Sequence, residues 1–247
     1  MFDLHCHLLP GLDDGAKTYQ EAEEVIHDLH DNGIDGLCFT PHLAWEKNED
    51  FFDRVKPVFD DMRVRLGNEI DLFLGAEVMC DEKSLNPPFC INGTRYFLLE
   101  FSPFSPILES YFEAIFKAQL NGFKPILSHI ERYDIVRNLS LVEKWLYMDI
   151  ILTINAESLM PGSNFNRTAW HLLENGMIHI VASDSHGSSV ERASLYEGYD
   201  LIKKRFGNEM AEVLCSSNPR GIINGKQPEL PVPKKRSWLS SLLKGDK

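Results

Sequence analysis

Met1-Phe2-Asp3-Leu4-His5-Cys6-His7, followed closely by Asp13-Asp14-Gly15, is the stretch that decides how the rest of the chain is read. Side chains on a β-strand alternate with a period of two, so His5 and His7 share one side while Cys6 faces the other. Both imidazoles can therefore reach one ion, and Cys6 reads as packing. A lone His-x-His is more often a pair of buried structural histidines. Its meaning rests on whether later segments bring matching ligands.

They do so in a regular order. Residues 1–6 read as a first strand, 7–17 as a loop, and Thr18 with Glu21 as a capping box for a helix. That helix carries Ala22, Val25, Ile26 and Leu29 at helical spacing and stops at Asn32-Gly33. Short apolar strands follow at 34–40, 71–76, 95–99, 123–128, 150–154 and 178–183. Between and after them the spacing predicts helices near 50–66 (with Pro57 inside), 107–120, 131–147, 165–175, 190–206 and 209–216. Strands alternating with helices of this length argue for a parallel, barrel-like α/β fold without internal repeats or a second core. A chain of 247 residues suits one such barrel.

The residue that ends each apolar run is the strongest signal. His42 follows Thr40-Pro41, Glu77 follows Gly75-Ala76, and Glu100, His129 and Asp184 close later strands. In parallel barrels the strand ends and their loops open on one face, where chemistry gathers. His5, His7, Asp14, His42, Glu77, Glu100, His129, Asp184 and His186 are thus expected to converge on one mouth. Asp184 and His186 repeat the two-apart spacing of the opening motif. Nine imidazoles and carboxylates exceed the four that one tetrahedral zinc takes, so two or three ions sharing bridging carboxylates are expected. A set without thiolate favours Mn, Fe or Zn, with Mn2+ the first choice, and disfavours an all-oxygen calcium cage.

His27, His30, His171 and His179 fall outside this pattern, the first two as solvated residues and the last at the wrong end of its strand. Asp13 neighbours Asp14 and could exchange roles with it. Asn155 closes the one strand without a ligand, and reads either as a support for ligand or substrate or as a turn residue.

Composition narrows the function classes. A net charge of −12 argues against a nucleic-acid binder, which usually presents a basic face. Five scattered cysteines without a C-x-x-C pair point to reduced thiols and a cytoplasmic protein. No signal peptide is evident, and no apolar run approaches the ~18 residues of a spanning helix. A cysteine-dependent tyrosine phosphatase needs an arginine six positions after the nucleophile, where Cys90 reaches Tyr96 and Cys215 reaches Gly221. Neither a P-loop nor a G-x-S-x-G elbow is present, so metal must carry the chemistry.

The blocks His5-Cys6-His7-Leu8-Leu9-Pro10-Gly11-Leu12-Asp13-Asp14-Gly15, Thr40-Pro41-His42, Gly75-Ala76-Glu77, Leu99-Glu100-Phe101, Ser128-His129-Ile130-Glu131-Arg132-Tyr133 and Ser183-Asp184-Ser185-His186 resemble the PHP (polymerase and histidinol phosphatase) metallophosphoesterases. Within that superfamily the chain looks like the CpsB-type capsule-operon protein-tyrosine phosphatases over roughly 1–225. The resemblance implies a distorted (β/α)7 TIM-like barrel holding three metal ions, usually manganese, on the nine residues named above. It also implies phosphate-binding arginines, matched by Arg132 and Arg192. Other PHP branches carry histidine where this chain has Asp14 and Glu100, which points to the tyrosine phosphatase branch. The implied substrate is a phosphotyrosine protein, the tyrosine-rich tail of a membrane-bound capsule or exopolysaccharide tyrosine kinase. The alternative is a phosphoesterase for a metabolite such as histidinol phosphate or a nucleotide, which shares every ligand. An open mouth with Trp45, Phe104 or Tyr133 nearby would suit protein-bound phosphotyrosine.

From Lys226 the composition shifts, so the expected division is a barrel over 1–225 and a tail over 226–247. Pro228, Pro231 and Pro233 read as a stiff linker, and Lys234-Lys235-Arg236 as a basic cluster. Trp238, Leu239, Leu242 and Leu243 fall on one helix face. A charge of +4 on the tail leaves −16 on the barrel, and 234–243 is a candidate for peripheral membrane or partner contact at the inner face of the membrane. The alternative is a tail that packs on its own barrel, or on a neighbour, through Trp238.

Overall fold

The computed structural model describes residues 1–43, 50–80, 90–102, 107, 109–187 and 195–233. The chain begins with β1 (Phe2–Cys6), α1 (Tyr19–Asp31), β2 (Gly36–Phe39) and β3 (His42–Leu43). It continues through α2 (Phe51–Leu66), β4 (Asp71–Leu74), β5 (Glu77–Met79), β6 (Tyr96–Glu100), α3 (Glu109–Leu120) and β7 (Lys124–Leu127). Then come α4 (Leu139–Tyr147), β8 (Ile151–Asn155), α5 (Asn166–Glu174), β9 (Ile180–Ala182), α6 (Leu195–Phe206), α7 (Asn208–Glu212) and α8 (Asn218–Ile223).

Every described strand pairing is parallel, in the orders β1-β2-β4 and β3-β5-β6-β7-β8-β9. The division into two sheets comes from two interrupted strands. β2 and β3 are one run broken at Thr40-Pro41, where the proline has no N–H to give a ladder. β4 and β5 are another, broken at Gly75-Ala76. Single bonds carry the sheet across these breaks. The Thr40 amide donates to Cys6 O at 2.9 Å, Gly75 to Phe39 O at 2.8 Å, and Glu77 to Pro41 O at 3.2 Å. With each broken run taken as one strand, the seven predicted strand positions follow one another in chain order.

The last strand region then meets the first. Asp184 N–H donates to His5 O at 2.9 Å, and His7 N–H to Ser185 O at 2.7 Å. The buried Asp3 carboxylate accepts the Ser183 amide at 3.0 Å and the His5 amide at 3.3 Å. Loop backbone and one side chain thus join β9 to β1 where a regular ladder is missing, giving the distorted (β/α)7 arrangement.

Helices bury one face each against the strands. Ala22, Ile26 and Leu29 of α1 share a large apolar cluster with Leu37, Phe39, Phe59 and Met62, all buried. Each such aliphatic or aromatic side chain contributes about 1.5–3 kcal/mol. A smaller cluster gathers Leu4, Cys38, Tyr96, Leu98, Ile126, Ile151 and Ile180 with Ile222 and Ile223 of α8. The capping of α1 follows the sequence with one change. Thr18 Oγ1 accepts the Glu21 amide at 3.2 Å, while the Glu21 carboxylate reaches past the cap to the Lys17 amide at 2.8 Å.

Several expectations are corrected. The helical stretches expected near 131–147 are two 3-10 turns, Ile130–Arg132 and Asp134–Arg137, and then α4. The left-handed backbone of His129 (φ 35°) turns the chain first, and Asn138 restarts it by accepting the Ser140 amide at 3.2 Å. The helix expected near 209–216 is α7 running into a π-helix, Val213–Ser217. His30 is half-buried, its ring nitrogen 3.3 Å from Ile34 O, whereas His27 is exposed beside Glu69 at 3.1 Å.

The proline-rich stretch lies along the bottom of the strands. Tyr96 Oη donates to Lys226 O at 2.9 Å, and Lys124 Nζ to Gln227 Oε1 at 2.7 Å. Asn218 Nδ2 donates to Glu229 O at 2.7 Å while Asn218 Oδ1 accepts the Glu229 amide at 2.9 Å. The basic and amphipathic residues 234–243 lie outside the described residues, as do Trp45, Phe104 and Arg192. No helix among the described residues is long and apolar enough to cross a membrane.

Candidate metal centre

All nine sequence-predicted ligands come together at one end of the strands. On β1 the register against β2 slips by one residue between Asp3 and Cys6, a bulge that re-aims the side chains beyond it. His5 and His7 emerge on one side with their Nε2 atoms 3.0 Å apart, and Cys6 points away with Sγ 3.4 Å from Cys38 O. Glu77, at the start of β5, puts Oε2 3.2 Å from His5 Nε2, 3.4 Å from His7 Nε2 and 3.2 Å from His42 Nδ1. Asp184 adds Oδ1 at 3.4 Å from both His5 and His7 Nε2. Asp14 Oδ1 stands 3.4 Å from His42 Nε2 and 3.4 Å from His186 Nε2. Glu100 Oε1 is 3.3 Å from His42 Nδ1, and His129 Nε2 is 3.1 Å from Glu77 Oε1.

These atoms form three overlapping groups: His7, Asp14, His42 and His186; His5, His7 and Asp184; His42, Glu77 and Glu100. Their spacing is compatible with shared ions. Ligands held about 2.1 Å from one ion sit about 3.0 Å apart in octahedral and about 3.4 Å apart in tetrahedral geometry. Glu77 Oε2 is buried without a hydrogen-bond partner although three imidazole nitrogens surround it. Four carboxylates this close together would repel one another strongly without cations between them. The residues present fit divalent ions.

The site's electrostatics point the same way. Burial alone pushes Glu77 and Asp184 upward, but the surrounding histidines, His5 foremost, hold both carboxyls well below the usual range. Both stay ionised and ready for a cation.

Asp13 and Asp14, interchangeable by sequence, separate by geometry. Asp14 is 69% exposed at its side chain and faces His42 and His186. Asp13 turns inward behind His7. Its Oδ2 accepts His7 Nδ1–H at 2.8 Å and the His42 amide at 3.1 Å, and its Oδ1 accepts the Gly15 amide at 3.0 Å. Burial opposes its charge, yet the His7 contact and the two amides bring the carboxyl down to about 2. An imidazole whose Nδ1 proton is so held presents Nε2 as a lone pair to the ion. Gly15 is required because the loop presses on His7: a Cβ there would lie 1.7 Å from His7 O.

Two of the candidate ligands carry backbone strain. His129 (φ 35°) and Asp184 (φ 54°) both adopt the left-handed region, which costs a non-glycine residue about 1–3 kcal/mol. The period-two argument for Asp184 and His186 therefore fails in its reason although both reach the site. His186 is aimed by its own backbone instead, with Nδ1–H donating to Asp184 O at 2.8 Å.

Around the ligands, Ser128 Oγ donates to Glu77 Oε1 at 2.6 Å. Asn155 Nδ2 donates to Asp184 Oδ2 at 2.8 Å, which makes it a support for that ligand rather than a turn residue. Arg132 Nη2 reaches the same oxygen at 2.9 Å and keeps 28% of its side chain exposed at the mouth. Tyr133 is not a mouth aromatic: it is buried, accepting the Phe101 amide at 2.9 Å and donating to Phe101 O at 3.4 Å. His171 lies on α5 beside Asn175, and His179 Nδ1 accepts the Leu152 amide at 3.1 Å far from the ligands. Sequence reasoning missed Ser128 and Glu131 as supports, although both lie inside the His129 motif it used.

This arrangement can be set beside known proteins. Residues 1–224 match the family described as "Capsular polysaccharide synthesis, CpsB/CapC". The chain belongs to the CpsB/CapC family. It is 28% identical over 242 residues to the tyrosine-protein phosphatase CpsB of Streptococcus pneumoniae, covering 90% of this chain and 98% of that one. Against the tyrosine-protein phosphatase YwqE of Bacillus subtilis it is 28% identical over 255 residues, covering 96% and 98%. A chain from the crystal structures of YwqE and CpsB, described as unique metal-dependent tyrosine phosphatases, superposes with a TM-score of 0.82. The two share 26% identity, with 96% of this CpsB/CapC chain and 100% of that one covered.

Proposed function

We propose that this chain hydrolyses phosphotyrosine on a bacterial protein, using two or three manganese ions held by His5, His7, Asp14, His42, Glu77, Glu100, His129, Asp184 and His186. The observation that carries this reading is the convergence of nine ligand groups at metal-ligand spacing, beside an arginine at the mouth. Membership of the CpsB/CapC family supports a role in capsule or exopolysaccharide production.

Divalent ions bound there supply a nucleophile at neutral pH and neutralise phosphoryl charge. The chain's own groups do the rest. Arg132, a planar donor suited to phosphate, is 28% exposed and can turn N–H groups to phosphoryl oxygens while Asp184 fixes its orientation. Asp13 holds the proton on His7 Nδ1 so that Nε2 remains a ligand. A tyrosine leaving group has a pKa of about 10, so the site needs no strong general acid. Cys6, buried and turned away, takes no part.

The proposed partner is the tyrosine-rich tail of a membrane-bound polysaccharide-synthesis kinase, met on the cytoplasmic side. Five free, buried cysteines support that compartment. Arg192 is a second proposed phosphate ligand, and 234–243 a proposed contact with the membrane or the kinase.

Metal analysis combined with rates on a phosphotyrosine peptide, a phosphoserine peptide, histidinol phosphate and single-stranded DNA tests the reading. Manganese at two to three ions per chain and preference for phosphotyrosine are expected. Preference for any of the other three substrates overturns it. Liposome co-sedimentation of the full chain, with and without Glu at Lys234, Lys235 and Arg236, tests the tail. Equal behaviour removes the membrane contact.

A further inference from the structure

Glu131 is a buried carboxylate that ligates nothing in the scheme above. It sits between His129 and Arg132 on the 3-10 turn after β7, with 2% of its surface exposed. Its Oε1 accepts the backbone N–H of Asn155 at 3.0 Å and the hydroxyl of Ser158 at 2.6 Å, so it pins that turn to the end of β8. Its Oε2 is buried without a hydrogen-bond partner.

The two residues that Glu131 holds in place converge on one atom. Arg132, its neighbour in sequence, donates Nη2 to Asp184 Oδ2 at 2.9 Å. Asn155, whose backbone it binds, donates Nδ2 to the same Oδ2 at 2.8 Å. Asp184 is thus two-sided: Oδ1 faces His5 and His7, and Oδ2 is held by the Arg132–Asn155 pair. Asp184 is also strained at φ 54°, so it keeps this orientation only while its surroundings impose it.

We propose that Glu131 is a positioning residue that locks Arg132 and Asn155 into one unit against Asp184, and so aims the exposed part of the Arg132 guanidinium at an oxyanion in the mouth. A buried carboxylate of this kind is costly, and one accepting oxygen with two good donors is the use the structure makes of it. The role deepens the phosphatase reading and rests on it for the identity of the oxyanion. It needs only a phosphate group, not phosphotyrosine, to be tested.

The assay is binding of inorganic phosphate to the manganese-loaded full chain by calorimetry, alongside metal content and melting temperature. Glu131→Ala removes the acceptor and should weaken phosphate binding on the order of tenfold, with bound manganese unchanged. Glu131→Gln keeps a carbonyl oxygen for Asn155 and Ser158 and should restore most of that loss. In an Arg132→Ala background, Glu131→Ala should weaken phosphate binding no further, because its effect passes through the guanidinium. Additive losses in the double variant, a Gln variant as poor as the Ala variant, or full phosphate affinity in folded Glu131→Ala each overturn the proposal. If the chain prefers another phosphomonoester, the phosphotyrosine reading falls while the phosphate-binding comparison still decides the role of Glu131.

Discussion

Replacing Asp13 by alanine should leave the number of bound ions unchanged while weakening their hold. The side chain accepts three hydrogen bonds, from His7 Nδ1 at 2.8 Å, the His42 amide at 3.1 Å and the Gly15 amide at 3.0 Å. None of these oxygens faces the shared ligand groups, so no ligand atom is lost. What is lost is the constraint on the His7 tautomer. A hydrogen bond to a charged group is worth about 1.5–3 kcal/mol. Supports behind a ligand histidine typically account for about 10–100-fold in metal affinity or activity, which agrees with that range. Asp14→Ala differs in kind, since it removes an oxygen shared by His42 and His186 and should lower the stoichiometry itself. Manganese titration by calorimetry, with stoichiometry checked by elemental analysis, separates the two. Because the Asp13 carboxyl lies at about 2, the contrast should hold throughout the neutral and mildly acidic range. Loss of an ion in Asp13→Ala with full occupancy in Asp14→Ala would refute the reasoning and exchange the two roles.

Further outcomes can be checked independently. His7→Ala and Asp184→Ala should abolish turnover with the fold intact by circular dichroism, whereas Cys6→Ala should retain it; activity surviving in both ligand variants removes the metal mechanism. Gly15→Ala should weaken metal binding and lower the melting temperature, since its Cβ would meet His7 O at 1.7 Å and the loop must move. His179 gives a pH signature. Burial lowers its folded pKa to about 4, against about 6.5 unfolded, and its neutral Nδ1 accepts the Leu152 amide. Because the folded value is depressed, the unfolded chain binds the proton first. The stabilisation is complete above about 6.5 and is lost as pH falls toward 4, reaching about 2 kcal/mol at pH 5. Denaturant unfolding of wild type and His179→Gln at pH 7.5 and 5 isolates it; identical pH dependence in the two proteins refutes the assignment.

The sequence carried the site further than it carried the local backbone. His42, Glu77, Glu100, His129 and Asp184 were legible because each ends an apolar run, and a parallel barrel brings such ends to one face. The sequence did not show the local geometry where tertiary contacts override local preference. The 131–147 segment has helical spacing, but the left-handed turn at His129 and the anchoring of Glu131 to β8 hold its first part in 3-10 turns. Tyr133 read as a mouth aromatic because its neighbours in the motif face the mouth, whereas its hydroxyl is held by the Phe101 backbone.

Sequence alone therefore determined which residue types reach the mouth, because strand periodicity is written locally, and its motif blocks carried the resemblance to the family. Tertiary structure decided what each does there. Asp13 and Asp14 are chemically identical neighbours, and only the position of His7 makes one a support and the other a ligand candidate. Glu131, Asn155 and Asp184 lie far apart in the chain, and only the pairing of β7, β8 and β9 brings them into one network. Hydrogen-bond partners and desolvation are properties of neighbours in space, and the chain order does not specify them.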